Sequence, residues 1–80
     1  MNSLHRKKLS IVVPIYNEER NVPTLYRRLK QVLSAIAYDS EVLFVNDAST
    51  DGSQALLEGI ATGDITVNVI EFTRNFGKEI

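Results

Sequence analysis

The chain has 80 residues, which is enough for one small domain at most. Its net charge of −1 lacks the basic excess that nucleic-acid binding requires, and the absence of cysteine excludes disulfides and thiolate metal sites. No apolar run approaches the ~20 residues that a membrane-spanning helix needs. With 44% hydrophobic and 24% charged residues, the composition is that of an ordinary globular domain.

Residues 1–8 form a basic amino-terminal tail that contains the run His5-Arg6-Lys7-Lys8. Such a tail can lie against anionic lipid headgroups, but a solvated tail that precedes the first strand is the favoured interpretation. No signal peptide is predicted, because the apolar run that begins at Leu9 is stopped early by Pro14.

The first predicted strand covers residues 9–13, an apolar run that is broken only by Ser10 and stopped by Pro14. Because it is rich in β-branched residues, it is typical of a strand that is covered on both faces. A helix follows, with Asn21 as its cap and Pro23 in its first turn, where the missing N–H costs nothing. Apolar residues at intervals of three and four define its inward face: Val22, Leu25, Leu29, Val32, Leu33 and Ile36.

A turn at residues 39–40 leads into the second predicted strand, residues 41–46, which is again apolar. Ser49 or Thr50 is predicted to cap the second helix, and Gly63 to end it. The inward face of this helix consists of Leu56, Leu57, Ile60 and Ala61.

A third strand is predicted for residues 65–72, and a loop for residues 74–78. The order is therefore β-α-β-α-β, with crossovers long enough for parallel strands. This order predicts an α/β fold, the Rossmann-like half of a nucleotide-binding domain, with a parallel sheet and helices on its faces. A three-stranded parallel sheet has two open edges, which is unusual for a finished domain, so residues 9–80 would be an incomplete domain. The open edges also favour self-association into a homo-oligomer.

Two candidate binding residues follow the first two predicted strands. Tyr16 comes two residues after Pro14, and Asp47 directly follows the second strand. Ligands of open α/β sheets bind beyond the carboxyl ends of the strands, and neighbouring strands lie ~4.8 Å apart, so both side chains could touch one nucleotide base. The ring can stack on the base, and the carboxylate can accept its N–H groups. Taken singly, Tyr16 could instead pack on the helix start, and Asp47 could cap its own turn.

Other charged residues near the strand ends have competing interpretations. Glu18 and Glu19 precede the first helix, where one could serve the helix dipole and the other could reach a ribose hydroxyl. Arg74 and Lys78 follow the third strand and are candidate diphosphate contacts, although cations on a loop are usually solvated.

No metal site is predicted within the sequence. Asp47 and Asp51 are four residues apart across a turn, which does not match the Asp-x-Asp pair that commonly binds a diphosphate-bridging metal ion. Asp51 and Ser53 are better suited to the terminus of the second helix. The sequence contains neither a GxGxxG nor a P-loop motif, so neither dinucleotide binding nor P-loop chemistry is supported.

Two motifs, in order and on the expected elements, resemble the inverting family-two glycosyltransferases with a GT-A fold. They are residues 12–21, Val-Val-Pro-Ile-Tyr-Asn-Glu-Glu-Arg-Asn, and residues 45–53, Val-Asn-Asp-Ala-Ser-Thr-Asp-Gly-Ser. Residues 73–79, Thr-Arg-Asn-Phe-Gly-Lys-Glu, resemble the branch that transfers a sugar to a polyprenyl phosphate, such as the dolichol-phosphate mannosyltransferases and the bactoprenol glucosyltransferases. The resemblance covers residues 9–80.

The resemblance implies that Pro14, Tyr16, Glu18, Val45 and Asp47 form the nucleotide pocket for a UDP- or GDP-sugar donor. It implies Mg²⁺ or Mn²⁺ on the donor diphosphate and transfer of a hexose, with inversion, to a polyprenyl phosphate. The full-length enzyme would act in the cytoplasm or at the cytoplasmic face of a membrane.

No catalytic residue is predicted within the sequence, because the resemblance implies that the catalytic residues lie beyond Ile80. The family's Asp-x-Asp metal motif, its acceptor-side residues and any membrane helices would also lie beyond Ile80. The segment alone is therefore not expected to turn over.

Three other functions remain open at this point. A soluble glycosyltransferase of the same fold could act on a polysaccharide or a surface glycan. A truncated module could bind a nucleotide or oligomerise without catalysis. A receiver-like phosphoacceptor is the least favoured, because residues 16–18 replace the acidic pair that it needs.

Asn46 stands where the family more often has aspartate, but Asp47 is the residue expected to face the base.

Overall fold

A computed structural model describes residues 8–36 and 38–73 of the chain. Its elements are β1 (Lys8–Ile15), α1 (Val22–Ser34), β2 (Asp39–Asp47), α2 (Ser53–Gly63) and β3 (Val67–Phe72). The predicted β-α-β-α-β order and the α/β class are confirmed. The predicted loop at residues 74–78 lies outside the described residues, as do Ile80 and most of the basic tail.

The strands form one parallel sheet in the order β1-β2-β3. Ile15 in β1 is the register partner of Asn46 in β2, and Asp47 in β2 is the partner of Phe72 in β3. The carboxyl ends of the strands therefore lie along one edge, which we term the carboxyl edge.

Both helices pack on the same face of the sheet. One apolar core joins Val22 and Leu33 of α1 and Leu57 of α2 to strand residues such as Phe44 and Val67. Successive right-handed crossovers that advance in one direction across a sheet place their helices on the same side. The order β1-β2-β3 therefore accounts for a single helical layer.

The opposite side of the sheet carries apolar side chains that no described helix covers, and we term it the open face. Its apolar residues are Val12, Pro14, Leu43, Val45, Ile70 and Phe72. Burial alternates along β1, and alternate strand residues point to opposite faces. Val12 is 61% exposed and Phe72 is 51% exposed. The prediction that the first strand is covered on both faces is therefore wrong for the described part of the chain.

The inward face of α1 is narrower than the apolar pattern predicts. Leu33 is buried, whereas Val32 is 62% exposed. Ile36 lies beyond the end of the helix and is also exposed. Leu25 and Leu29 pack against the core as expected. The buried row then continues four residues on to Leu33, and Val32, three residues on from Leu29, stays in solvent.

Three predicted strand boundaries are wrong. Pro14 does not stop β1, which continues to Ile15. Proline is tolerated here because β1 is an edge strand among the described residues. Residues 39–40 belong to β2 rather than to a turn, since they extend its pairing with β1. Ile65 precedes β3 and is 95% exposed.

The Asp64 carboxylate, which directly follows α2, ties the helical layer together. It accepts hydrogen bonds from the Thr66 hydroxyl at 2.6 Å and the Tyr26 hydroxyl at 2.6 Å, and it forms a 2.9 Å ion pair with Lys30. These contacts, with that from Thr66 foremost, hold the pKa of Asp64 well below its ordinary value. The hydrogen bond to Asp64 in turn raises the pKa of Tyr26. We term this group of four residues the Asp64 brace.

Candidate functional site

The carboxyl edge brings predicted nucleotide-binding residues from two strands together. Pro14 and Val45 are register partners in β1 and β2. Tyr16 and Asp47 each directly follow the last pair that these strands share. Paired strands lie ~4.8 Å apart, so the backbones of Tyr16 and Asp47, which follow that last pair at corresponding positions, lie close to each other. Pro14, Val45 and Asp47 all belong to the open face, and Tyr16 begins the loop beside them.

These residues form a surface that a planar molecule can reach from solvent. Tyr16 is 55% exposed, Pro14 and Asp47 are exposed, and Val45 is half-buried. The surface combines an aromatic ring, two apolar side chains and a carboxylate. It can therefore offer stacking to a flat ring system and a hydrogen-bond acceptor at its edge.

Glu18, the fifth predicted binding residue, lies in the loop between β1 and α1. Its backbone carbonyl accepts hydrogen bonds from the amides of Asn21 and Val22 at 2.8 and 3.0 Å. Its carboxylate accepts one from the Asn21 side chain at 2.8 Å. Asn21 therefore occupies the cap position of α1 without a side-chain cap bond, because its amide holds Glu18 instead. The exposed carboxylate of Glu18 still has one oxygen that bonds to no described residue.

The loop after β1 and the loop after β2 are joined by side-chain hydrogen bonds. The Asn17 side-chain oxygen accepts from the Thr50 amide at 2.8 Å, and the Asn17 amide donates to the Ser49 hydroxyl at 2.9 Å. The Glu19 carboxylate accepts from the Gly52 amide at 2.9 Å. We term these contacts the loop clasp.

The prediction that Ser49 or Thr50 caps the second helix is therefore wrong. α2 begins at Ser53, with Gly52 in the cap position. Ser49 and Thr50 bond to Asn17 in the other loop, a partner that no pattern within their own segment can indicate.

Asp51 and Ser53 serve the start of α2, as the sequence predicts, and they also reach the first loop. The Asp51 carboxylate accepts from the Ser53 amide at 2.9 Å and from the Glu19 amide at 3.2 Å. Hydrogen bonds from Ser53, together with one from the Glu19 amide, hold the pKa of Asp51 below its ordinary value. The buried Ser53 hydroxyl accepts from the Glu18 amide at 3.1 Å.

Asn46 points to the helical side of the sheet, opposite to Asp47. It is fully buried, and its side chain donates to Gln54 at 2.8 Å and accepts from the Ser49 amide at 3.2 Å. Its role is therefore to hold the second loop, and this position leaves Asp47 on the side where the binding surface lies.

The acidic residues at this edge do not fit a metal ion. Within residues 8–36 and 38–73, no group of three or more His, Asp or Glu side chains is placed to hold a metal. Glu19 and Asp51 are occupied by backbone amides. The carboxylates on the described residues thus provide no site for the divalent cation that the resemblance implies.

A groove of about 560 Å³ lies between α1 and α2, away from the predicted site. Its lining includes Tyr26, Lys30, Leu56 and Ile60, and none of the predicted binding residues. Tyr26 and Lys30 belong to the Asp64 brace, so two of the polar side chains that line the groove already hold the helical layer together.

Two sets of predicted residues fall outside the part of the chain that the structure describes. Arg74 and Lys78, the candidate diphosphate contacts, follow the last described residue. The catalytic residues are expected beyond Ile80, so their placement also stays a prediction. No helix in the described ranges has the length and apolar character to span a bilayer.

Comparison with known proteins gives matches along nearly the whole chain. A prophage bactoprenol glucosyl transferase homolog of Escherichia coli (strain K12) is 39% identical over 72 residues, which are 90% of this chain and 24% of that protein. The bactoprenol glucosyl transferase of Shigella phage SfV is also 39% identical, again over 90% of this chain and 24% of the relative. The uncharacterized glycosyltransferase YkcC of Bacillus subtilis (strain 168) is 46% identical over 89% of this chain and 22% of its own length.

The chain spans about a quarter of the length of these curated relatives. The profile of Glycosyl transferase family 2 matches residues 10–80, which include every residue of the predicted site. On this match, and with the parallel α/β sheet that the structure shows, the chain belongs to glycosyl transferase family 2.

Proposed function

We propose that this chain is the donor-nucleotide half of a glycosyltransferase that transfers a hexose from a UDP- or GDP-sugar to a polyprenyl phosphate, with inversion. Membership of glycosyl transferase family 2 supports the reaction class. Similarity to two proteins named as bactoprenol glucosyl transferases supports a polyprenyl phosphate as the acceptor.

The corresponding positions of Tyr16 and Asp47 at the carboxyl edge are the observation that carries the nucleotide part of this proposal. The Tyr16 ring stacks on the base, and the Asp47 carboxylate accepts the imide N–H of uracil or the N–H groups of guanine. Pro14 and Val45 supply an apolar floor, and the Glu18 carboxylate oxygen that bonds to no described residue accepts a hydrogen bond from the ribose. Each role matches the chemistry of the side chain and its place, on the open face for Pro14, Val45 and Asp47 and in the loop after β1 for Tyr16 and Glu18.

Calorimetric titration of the chain with UDP and GDP tests this assignment. We expect Asp47→Ala to weaken binding of the preferred nucleotide by about 1.5–3 kcal/mol, because it removes a hydrogen bond to a charged group. Asp39→Ala is the matched control, since it removes a carboxylate from the opposite end of the same strand. Equal affinity of the Asp47→Ala variant and the unaltered chain would refute the assignment.

We further propose that the full-length enzyme uses Mg²⁺ or Mn²⁺ on the donor diphosphate, and that Arg74 and Lys78 contact that diphosphate. The resemblance implies that the metal ligands and the catalytic residues lie beyond Ile80, and the described residues supply no metal site of their own. Replacing Mn²⁺ with EDTA is therefore expected to leave the nucleotide affinity of the 80-residue chain unchanged, and the chain is expected to form no glycolipid. A strong Mn²⁺ dependence of binding would contradict this placement of the ligands.

We propose that the full-length enzyme acts at the cytoplasmic face of a membrane, because of the acceptor that is proposed for it. A polyprenyl phosphate is held in the bilayer, so a transferase that uses it must reach the membrane surface. Incubation of the full-length enzyme with UDP- or GDP-hexose and either polyprenyl phosphate or a soluble glycan tests the acceptor. Product on the glycan alone would favour the soluble transferase instead.

We also infer that the 80-residue chain self-associates. β1 and β3 are the outer strands of the described sheet, and exposed strand edges pair readily with other chains. The apolar open face adds a second surface that is poorly suited to water.

A further inference from the structure

The loop clasp connects the two loops next to the residues that are proposed to bind the nucleotide. Asn17 directly follows Tyr16, and its side-chain oxygen accepts from the Thr50 amide at 2.8 Å and from the Thr50 hydroxyl at 3.4 Å. Its own amide donates to the Ser49 hydroxyl at 2.9 Å. A single exposed residue thus makes three contacts with a loop more than thirty positions away.

The backbone at these positions is unusual in the same way in both loops. Asn17 has a φ of 50° and Ala48 has a φ of 61°, so each adopts the left-handed conformation. Each directly follows a proposed base contact, Tyr16 or Asp47. The chain therefore turns sharply just after each contact residue, and the direction of each turn helps to set where that side chain points.

The clasp continues on the far side of Glu18. Glu19 accepts from the Gly52 amide, and the Glu19 amide donates to Asp51 at 3.2 Å. Gly52 permits this approach, because a Cβ atom there would lie 2.7 Å from a Glu19 carboxylate oxygen. The side chains of Asn17 and Glu19 thus face the second loop, which leaves Tyr16 outside the clasp.

We propose that Asn17, held by Ser49 and Thr50, is a positioning residue that keeps the Tyr16 ring beside the Asp47 carboxylate so that both contact one base. This proposal rests on the proposed nucleotide site, and it assigns to Asn17 no contact with the ligand. Without the Asn17 contacts, the first loop would be held to the second only through Glu18 and Glu19, and Tyr16 would sample positions away from Asp47.

The test compares two variants that break the clasp with one that keeps it. Asn17→Gly retains access to a positive φ but loses the acceptor for Thr50, and Ser49→Ala loses the acceptor for the Asn17 amide. Ser49→Thr keeps that hydroxyl. Ser10→Ala is the control, because it removes another exposed hydrogen bond between strands, the 2.6 Å bond to Glu41.

Affinity for UDP and GDP is measured by calorimetry at a temperature where circular dichroism shows each full chain to be folded. We expect Asn17→Gly and Ser49→Ala to weaken binding by about fivefold, because the nucleotide must then order a loop that has lost one net hydrogen bond. Ser49→Thr and Ser10→Ala are expected to match the unaltered chain, even where they lower the melting temperature. A purely structural role would lower the melting temperature of the clasp variants and leave the affinity of the folded chain unchanged.

Quenching of tyrosine fluorescence provides a second readout in a Tyr26→Phe, Tyr38→Phe background, where Tyr16 is the remaining tyrosine. At saturating nucleotide, the clasp variants are expected to show less quenching than the background chain, because the ring no longer stacks. If Asp47→Ala weakens binding but Asn17→Gly and Ser49→Ala do not, the positioning role is overturned and the nucleotide site stands. If the unaltered chain binds neither nucleotide, both are overturned.

Discussion

Ala48 holds a backbone conformation that its side chain disfavours. Its φ of 61° lies in the left-handed region, where a Cβ atom approaches the following carbonyl oxygen. Asn17 has a similar φ, but asparagine tolerates this conformation better than alanine does. The strain at Ala48 is local, since it arises from the single turn that follows Asp47.

We therefore expect Ala48→Gly to stabilise the chain. Removing the Cβ relieves about 1–2 kcal/mol of strain, and the greater freedom of glycine in the unfolded chain offsets about half of it. Thermal unfolding followed by circular dichroism should show a melting temperature higher by a few degrees. Ala55→Gly, at an exposed position inside α2, is the opposite control and should destabilise by about 1 kcal/mol. A lower melting temperature for Ala48→Gly would show that the strain is absent.

Gly52 and Gly59 differ in the space around them, although both are near or in α2. A Cβ at Gly59 would meet nothing within 4 Å, whereas one at Gly52 would meet the Glu19 carboxylate. Gly59→Ala is expected to raise the free energy of unfolding by about 1 kcal/mol, because alanine favours a helix interior. Gly52→Ala should give no such gain, since the carboxylate must move and its bond to the Gly52 amide is lost. Equal gains in urea unfolding would contradict this account of the loop clasp.

At the scale of elements, the spacing of apolar residues predicts those features of the helices and strands that depend on neighbouring sequence alone. The type and order of the helices and strands follow from apolar spacing, and the inward residue Leu57 is correctly identified. The bonds of Ser49 and Thr50 could not be predicted, because their partner, Asn17, lies in another segment. The open face could not be predicted either, since residues 9–13 read as apolar whether or not a second layer covers them.

The candidate site likewise has some features that the sequence predicts and others that depend on the folded structure. The places of Tyr16 and Asp47 follow from two strand ends and parallel pairing, so a sequence can indicate them. The contacts of Glu19 with Gly52 and Asp51 depend on how the two loops fit together. The sequence offers Glu19 as a ribose contact as readily as Glu18, and only the three-dimensional arrangement separates the two.

The Asp64 brace makes the packing of the helical layer sensitive to acid. A carboxyl whose pKa is lower in the folded chain contributes stability above its unfolded pKa and loses it as pH falls through the folded pKa. The pKa of Asp64 is lowered by Thr66, Tyr26 and Lys30. We therefore expect the unaltered chain to be more stable than Asp64→Asn at neutral pH, with a difference that shrinks below about pH 4.

Urea unfolding from pH 7 downward measures this difference. Thr66→Val should reduce the acid-dependent part more than Lys30→Met, because the Thr66 hydroxyl makes the leading contribution. A stability difference between the unaltered chain and Asp64→Asn that stayed constant down to pH 2 would contradict the proposed role of the brace.

At the scale of the whole molecule, the open face is expected to drive self-association. Val12 is exposed on β1, and Ile70 and Phe72 are exposed on β3. Leu43 and Val45 of β2 lie between them on the same face, so the apolar side chains form one surface rather than scattered contacts. Sedimentation velocity over a range of concentrations should show species larger than the monomer. Val12→Lys and Ile70→Lys should each shift the chain toward monomer.

Val32→Lys is the matched control for this prediction. Val32 on α1 is 62% exposed and Val12 is 61% exposed, but Val32 lies on the helical side of the molecule. Its substitution should leave sedimentation unchanged. If Val32→Lys produced the same shift as Val12→Lys, added charge alone would account for the effect, and the open face would have no special role.

Pro14 and Val45 belong to two surfaces at once, the sheet side without a helical layer and the floor beneath the proposed base. A second molecule packed there would cover the surface that a bound nucleotide contacts, so self-association and nucleotide binding would each weaken the other. Raising the UDP or GDP concentration would then dissociate the oligomers, and raising the protein concentration would weaken its apparent affinity for nucleotide.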